Sequence, residues 1–220
     1  MKKGTPKNSF FALSLFLFLF LIIFLAQPVS AAASTIIDDW KTTAVPPAPV
    51  LKSVVVDPQT TAFLILDIQQ PMCNTEQRPR CAASVPKIAE FLLNARIHSM
   101  PIIYSLTPTG TPEDIVAAVS PLPGEPSVRS SVDKFYNTDL EKILKDKGIK
   151  TVIISGTVAH GAVLHTATGA SIRGFQVIIP VDGMSSVESY AEQYTAWHML
   201  NAPGTRARTT LTTFDKISIK

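Results

Sequence analysis

Thr61 opens an unbroken apolar run, Ala62-Phe-Leu-Ile-Leu66, that ends in a carboxylate, Asp67. A strand with one wet face alternates apolar and polar residues. A continuous run has to be covered on both faces, which is the habit of strands in parallel sheets. The pattern recurs in Pro101-Ile-Ile-Tyr-Ser-Leu106, in Lys150-Thr-Val-Ile-Ile-Ser-Gly156 and in Phe175-Gln-Val-Ile-Ile-Pro-Val-Asp182. A last strand is expected over 209–214. Helical spacing fills the gaps. Val85, Ile88, Ala89, Leu92, Leu93 and Ile97 share a helical face over 84–98, with Ser84 as N-cap and Pro86 in the first turn. Thr138 caps a helix through Lys147, stopped by Gly148. Another runs from about Ala162 to Arg173, stopped by Gly174, and a further one spans 186–200.

Strands alternating with helices build βαβ units. The expected fold class is therefore α/β, a three-layer, Rossmann-like arrangement. Its sheet is mostly parallel, of about six strands, with helices on both faces. In such sheets ligands bind beyond the carboxyl ends of the strands. That directs attention to Asp67 and the residues just after it, to Thr107 onward, to Gly156–Ala162, and to Asp182–Ser185. Residues 107–131, rich in Pro, Gly, Thr and Ser, read as a long irregular section with a short helical piece near 112–119, and long loops in compact domains are often functional.

The chain begins Met1-Lys2-Lys3, continues with an apolar run from Phe10 to Ala26 broken only by Ser14, and reaches Val29-Ser30-Ala31. A basic start, an apolar stretch and small residues three and one before a cut form a secretory signal. Residues 1–31 are expected as a signal peptide cleaved after Ala31. The alternative is a retained anchor, but the run of about 17 residues is near the lower limit for a membrane span. No stable membrane anchor is expected, and the protein is assigned to the periplasm or the exterior. Three of the 20 Lys and Arg and none of the 17 Asp and Glu lie in that leader, so the remainder is balanced at 17 against 17. Such balance makes no electrostatic case for nucleic acid. Residues 32–57, with Pro46, Pro47 and Pro49, read as an extended arm, and 58–220 as one α/β domain. Cys73 and Cys81 bracket a polar loop, and in an oxidising compartment they are expected to close it as a disulfide. The alternative is a reactive thiol.

Asp67 at the rim of an apolar sheet is partly desolvated, which raises a carboxyl pKa and suits acid–base work; a structural cap for the next loop is the other reading. Lys134, in Ser131-Val-Asp-Lys-Phe-Tyr-Asn-Thr138, reads by itself as a solvated charge. Gly156-Thr-Val-Ala-His-Gly-Ala162-Val-Leu-His-Thr166 joins a strand to a helix, whose N-terminal amides favour developing negative charge. His160 and His165 stand five apart with no third ligand at metal spacing, which argues against a zinc site.

Taken together these segments resemble the isochorismatase-like hydrolases, which include nicotinamidases and other amide hydrolases. Leu64-Ile-Leu-Asp67-Ile-Gln69-Gln70 looks like the family's first-strand motif, and Lys134-Phe-Tyr-Asn-Thr138-Asp-Leu140 like its lysine motif. The segment around Gly156–Ala167, followed by Gly174-Phe-Gln-Val and Val181-Asp182-Gly-Met-Ser185, looks like its third. The resemblance spans about residues 58–215. It implies a catalytic Asp67 and Lys134. The nucleophile, a cysteine in most members, falls on Ala162, and a methyl group cannot attack a carbonyl. It also implies a non-proline cis peptide between Val158 and Ala159, turning the amides of Ala159 and Ala162 inward as an oxyanion site. Metal-binding members carry added acid and histidine ligands after the first motif. Residues 70–83 contain no His, so neither metal nor other cofactor is implied. Members that open the vinyl ether of isochorismate also lack the cysteine: their Asp protonates the substrate and water attacks the cation.

Two functions are open to such a chain. One is an exported hydrolase that acts on a small molecule through Asp67 and Lys134. The other is an inactive member that only binds a small ligand. Gln69, Phe135 and His160 are candidate substrate contacts, and Met72, Tyr136, Trp197 and Arg129 weaker ones. Family members commonly form homo-oligomers.

Overall fold

The computed structural model describes residues 33–220, together with Met1; the expected signal peptide lies outside the described residues. The described residues before Pro46 belong to one unit and Pro46–Lys220 form another. The first holds a single described helical turn, α1 (Ile36–Asp39), where Asp38 Oδ2 accepts from the Thr35 amide and hydroxyl, both at 2.8 Å. Among the described residues, no helix is long and apolar enough to cross a membrane.

The second unit is built on a seven-stranded sheet. Its strands are β2 (Thr61–Leu66), β3 (Ile102–Leu106), β4 (Ser127–Arg129), β5 (Thr151–Thr157), β6 (Gln176–Pro180), β7 (Met184–Ser185) and β8 (Thr209–Thr212). The order is β4-β3-β2-β5-β6-β8, with β7 extending the pairing of β5, and every pairing is parallel. All six residues of β2 are buried, as a two-sided cover requires. Ala62, Leu64 and Leu66 face one core layer, with α3 (Leu140–Asp146), α4 (Leu164–Ile172) and α5 (Ser189–Asn201). Phe63 and Ile65 face the other, with α2 (Pro79–Ile97). There Phe63, Phe91 and Phe214 form an aromatic cluster, with centroids of 5.0 Å for Phe63–Phe91 and 4.9 Å for Phe91–Phe214.

Several elements differ from expectation, each for a local reason. Helix α2 starts at Pro79, not at Ser84. Proline is favoured in a first turn because the amide it lacks has no intrahelical acceptor there. Ser84 lies inside the helix, its hydroxyl donating to the Cys81 carbonyl at 2.8 Å. Thr138 Oγ1 does accept from Leu140 N (3.2 Å), but α3 proper begins at Leu140. The helix expected from Ala162 begins at Leu164, because Ala159–Val163 form a wider π turn first. The irregular section holds two 3₁₀ turns, at Pro112–Asp114 and Ala117–Val119, and also strand β4. The expected extended arm, 32–57, contains the helical turn α1, and its end forms β1 (Val54–Val56). That strand pairs in parallel with a terminal strand, β9 (Ile217–Ile219), which the sequence pattern does not predict.

Candidate active site

The sheet order contains a switch point. From β2 the chain moves outward through β3 and β4, then crosses back to place β5 on the other side of β2. Crevices outside the carboxyl ends at such a point are where α/β proteins hold ligands. Register aligns these ends, for Leu66 is level with both Ser105 and Gly156. Asp67 and Thr157 are thus the next residues on adjacent strands. Asp67 leaves β2 with φ of +54°, a left-handed conformation that Asp tolerates better than most residues.

The Asp67 carboxyl is 5% exposed as a residue and fully partnered. Ser105 Oγ donates to Oδ1 at 2.7 Å, and Lys134 Nζ stands 2.8 Å from Oδ2. Lys134 is fully buried, and its Nζ also donates to the carbonyls of Ser130 (2.9 Å) and Leu106 (3.2 Å). Three acceptors around one nitrogen match the three N–H donors of an ammonium. The backbone of Lys134 is fastened too: its amide donates to Thr166 Oγ1 (3.2 Å) and its carbonyl accepts from Thr138 Oγ1. Burial pushes the Asp67 carboxyl above the ordinary carboxylate range, against the opposing pull of Lys134, Ser105 and the more distant Arg78. Burial likewise lowers Lys134, against the pull of Asp67. The pair is an acid held above its usual range, beside a fixed positive charge.

On the other side of the switch point the chain leaves β5 through Thr157 and Val158. Ala159 is fully buried and Ala162 is 3% exposed. The cis non-proline peptide joins Thr157 to Val158, one bond before the expected Val158–Ala159 position. Strand β5 keeps its pairing through Thr157, opposite Ser185, and the chain turns at the bond after it. Cys73 and Cys81, the only cysteines of the chain, form a disulfide.

The remaining candidates are dispersed. Gln69 is buried, and its Oε1 accepts from the Thr107 amide at 3.0 Å. A Cβ on Gly110 would fall 1.9 Å from Gln69 Nε2, so Gly110 is what lets that loop close over the amide. Gln69 thus ties the loop after β3 to the Asp67 turn. Phe135 is a core residue, stacked on Phe175 (6.3 Å) and covered by the Arg173 guanidinium at 4.5 Å from its centroid. His160 is exposed, with Nδ1 3.1 Å from Ser186 Oγ. It lines, with His165, Tyr190 and Tyr194, a cleft of about 980 Å³ that neither Asp67 nor Lys134 borders. Tyr136, Trp197 and Arg129 are exposed, and Met72 is half-buried. Among the described residues, no three His, Cys, Asp or Glu side chains stand close enough together to hold a metal ion.

Sequence reasoning missed Arg78. It lies in the loop closed by the disulfide, is half-buried, and donates from Nη1 to Thr157 Oγ1 at 3.4 Å. Two basic residues in a short polar loop look like solvent-facing charge. The available signal was that the loop is tied directly to the segment leaving Asp67.

Geometry therefore defines an α/β protein with a buried carboxyl–ammonium pair at its topological switch point. Residues 61–212 match the model of the isochorismatase domain. The chain belongs to the isochorismatase family. It is 28% identical to a secreted isochorismatase effector of Verticillium dahliae over 138 residues, covering 57% of this chain and 73% of that protein. It is 26% identical to a streptothricin hydrolase of Streptomyces noursei, covering 58% of this chain and 55% of the relative. The chain thus spans little more than half the length of that second relative. Among solved structures, an isochorismatase family protein from Desulfovibrio vulgaris superposes with a TM-score of 0.64 at 21% identity, over 71% of this chain and 95% of its own. N-carbamoylsarcosine amidase from Thermoplasma acidophilum gives 0.62 at 19% identity, over 71% and 97%. At these identities the two superpositions show a shared fold.

Proposed function

We propose that this chain is an exported hydrolase that cleaves a small molecule by acid–base chemistry at Asp67 and Lys134, without a cysteine nucleophile. One observation carries the reading: a carboxyl raised by burial lies 2.8 Å from a buried ammonium. The resemblance puts the family's nucleophile position at Ala162, and both thiols are in a disulfide. In this scheme the protonated Asp67 donates to the leaving atom of the bound substrate. Lys134 then stabilises the carboxylate that forms, at no cost in rearrangement, because its three acceptors already hold it in place. Water attacks the electron-poor carbon, and the carboxylate takes back a proton from that water. General acid catalysis of this kind contributes about 10²–10⁴-fold, and orientation of the substrate supplies more.

Export is supported by the N-terminal pattern, by the disulfide, and by the name of the Verticillium dahliae relative, which describes that protein as secreted. A small-molecule substrate agrees with the named hydrolase and amidase relatives. The loss of a nucleophile at Ala162 favours a second reading, a protein that binds a ligand without turning it over.

The test is a screen of the protein beginning at Ala32 against small amides, esters and vinyl ethers, beside Asp67→Asn and Lys134→Ala. Turnover that disappears in Asp67→Asn establishes the acid. A ligand detected by thermal shift with no substrate turned over overturns the hydrolase reading. Secretion of a reporter fused to residues 1–33, lost when Leu15–Leu17 are replaced by charged residues, tests export.

A further inference from the structure

The arginines of the Pro46–Lys220 unit that are near carboxylates use them. Arg80 pairs with Glu192, Arg96 with Glu125 at 2.8 Å, and Arg173 with Glu141 at 2.9 Å. Arg78 does not. Its guanidinium is half-buried, and burial lowers its proton affinity. The hydrogen-bond partners of its Nη atoms are a hydroxyl at the limit of bonding distance, Thr157 Oγ1 at 3.4 Å, and a thioether, Met72 Sδ at 3.3 Å. The first contact is weak because it is long and the second because a thioether is a poor acceptor, for a group with five donors. A desolvated guanidinium without an anion is an expensive arrangement unless an anion arrives.

Its position says where that anion would sit. Thr157 ends β5 and Asp67 follows β2, side by side at the switch point. Through Thr157 the guanidinium is placed at the strand end next to the one that Asp67 follows. Its backbone is fixed in advance. The Arg78 amide donates to the Asn74 carbonyl (3.0 Å), and its own carbonyl accepts from Cys81 (2.9 Å) and Ala82 (3.1 Å). Asn74 Oδ1 collects the amides of Glu76 and Gln77, and the Cys73–Cys81 disulfide closes the loop. Pre-ordering of this kind reduces the entropy lost on binding.

We infer that Arg78 is a substrate anchor, and that the molecule acted on at Asp67 carries a carboxylate that displaces Met72 and Thr157 from the guanidinium. This rests on the hydrolase reading for the word substrate, and on the loop geometry alone for the anion. The fork of a guanidinium accepts a carboxylate in a two-point contact. One guanidinium balances one charge, so a monoanion suits the site better than a phosphate dianion.

Calorimetric titration with acetate, pyruvate, benzoate and inorganic phosphate, and with benzamide as the uncharged match of benzoate, tests this on the disulfide-bonded protein. At least one carboxylate should bind, and its Kd should rise by about 10-fold or more in Arg78→Met. Arg78→Lys should retain part of the affinity, and circular dichroism should show both variants folded. Phosphate binding more tightly than every carboxylate overturns the assignment of class. No carboxylate binding, or equal binding to Arg78→Met, overturns the anchor itself. Carboxylate binding that depends on Arg78 in a protein that hydrolyses nothing leaves the anion site standing and removes only the enzyme reading. The reverse, turnover of uncharged substrates untouched by Arg78→Met, removes only the anchor.

Discussion

The two strand ends that meet at the switch point are unlike. Beyond β2, every polar group is engaged: Asp67 with Ser105 and Lys134, Lys134 with two carbonyls, Gln69 with the loop after β3. Beyond β5, Ala159 and Ala162 are buried in the core layer of α3, α4 and α5, and the Thr157 hydroxyl accepts from Arg78. The first end is a buried charge pair and the second is apolar packing. On the hydrolase reading, the proton donor comes from the β2 side.

The strongest way to break that contrast is to remove the charge that balances Asp67. Lys134→Met leaves a buried carboxyl and two carbonyls without their donor, and should cost about 3–5 kcal/mol of stability at neutral pH, read by urea unfolding. The loss should shrink in acid, where Asp67 is protonated. A Lys134→Met protein as stable as the parent would mean that the pair is not balanced as the geometry indicates. Next in size, Asp67→Asn keeps the hydrogen-bonding shape and removes the proton. Hydrolysis should fall by at least about 100-fold in kcat/KM, with KM little changed.

The pH profile has the same origin in burial. The folded-state value of Asp67 is raised, so the folded protein holds its proton more tightly than the unfolded chain. The contribution of Asp67 to stability is present below the ordinary Asp value and is lost as pH rises through the raised one. If the protonated acid is the working form, activity should decline over that same rise, and Asp67→Asn should abolish the decline along with the activity. A rate that instead grows through this range would reassign Asp67 as a base.

The loop that carries Arg78 offers a smaller effect. Cys73→Ala with Cys81→Ala opens a short loop and should cost about 2–3 kcal/mol on the chain-entropy account. Thermal unfolding with and without reductant reads the difference. Beyond β5, Ala162→Cys adds one atom at a nearly buried position and should cost about 1 kcal/mol. Its thiol, titrated with iodoacetamide, would show how closely the second end can be returned to nucleophilic chemistry. Amide turnover gained in Ala162→Cys would sharpen the contrast into a single missing atom.

Much of the fold was legible because burial on two faces writes itself into composition: β2, β3, β5 and β6 are each signalled by a run of Ile, Leu and Val. Strands β4 and β9 were not, being three residues long and paired only at an edge, where short-range pattern carries little information. At the site, Asp67 was visible from its place after a buried strand. Lys134 was not distinguishable from surface charge without the family's motif, since nothing local announces that a lysine will be buried. Arg78 was concealed by the same limit, and Phe135 and His160 show the converse. Both neighbour site motifs in sequence, yet one is packed in the core and the other borders a different cleft.

By itself, the sequence determined the layered α/β class, the first acid, the absence of a thiol at residue 162 and the presence of a pair of cysteines able to close a loop. These rest on hydrophobic period and residue chemistry, which are local properties. Only the tertiary structure decided that Lys134 loses its water and meets Asp67, that Ser105 joins them, and that Arg78 turns toward Thr157 while Arg80 turns toward Glu192. Those outcomes depend on strand order and register, which bring residues up to 112 positions apart within bonding distance. Desolvation, and with it the acidity of Asp67, is a property of that assembled neighbourhood and of no single segment.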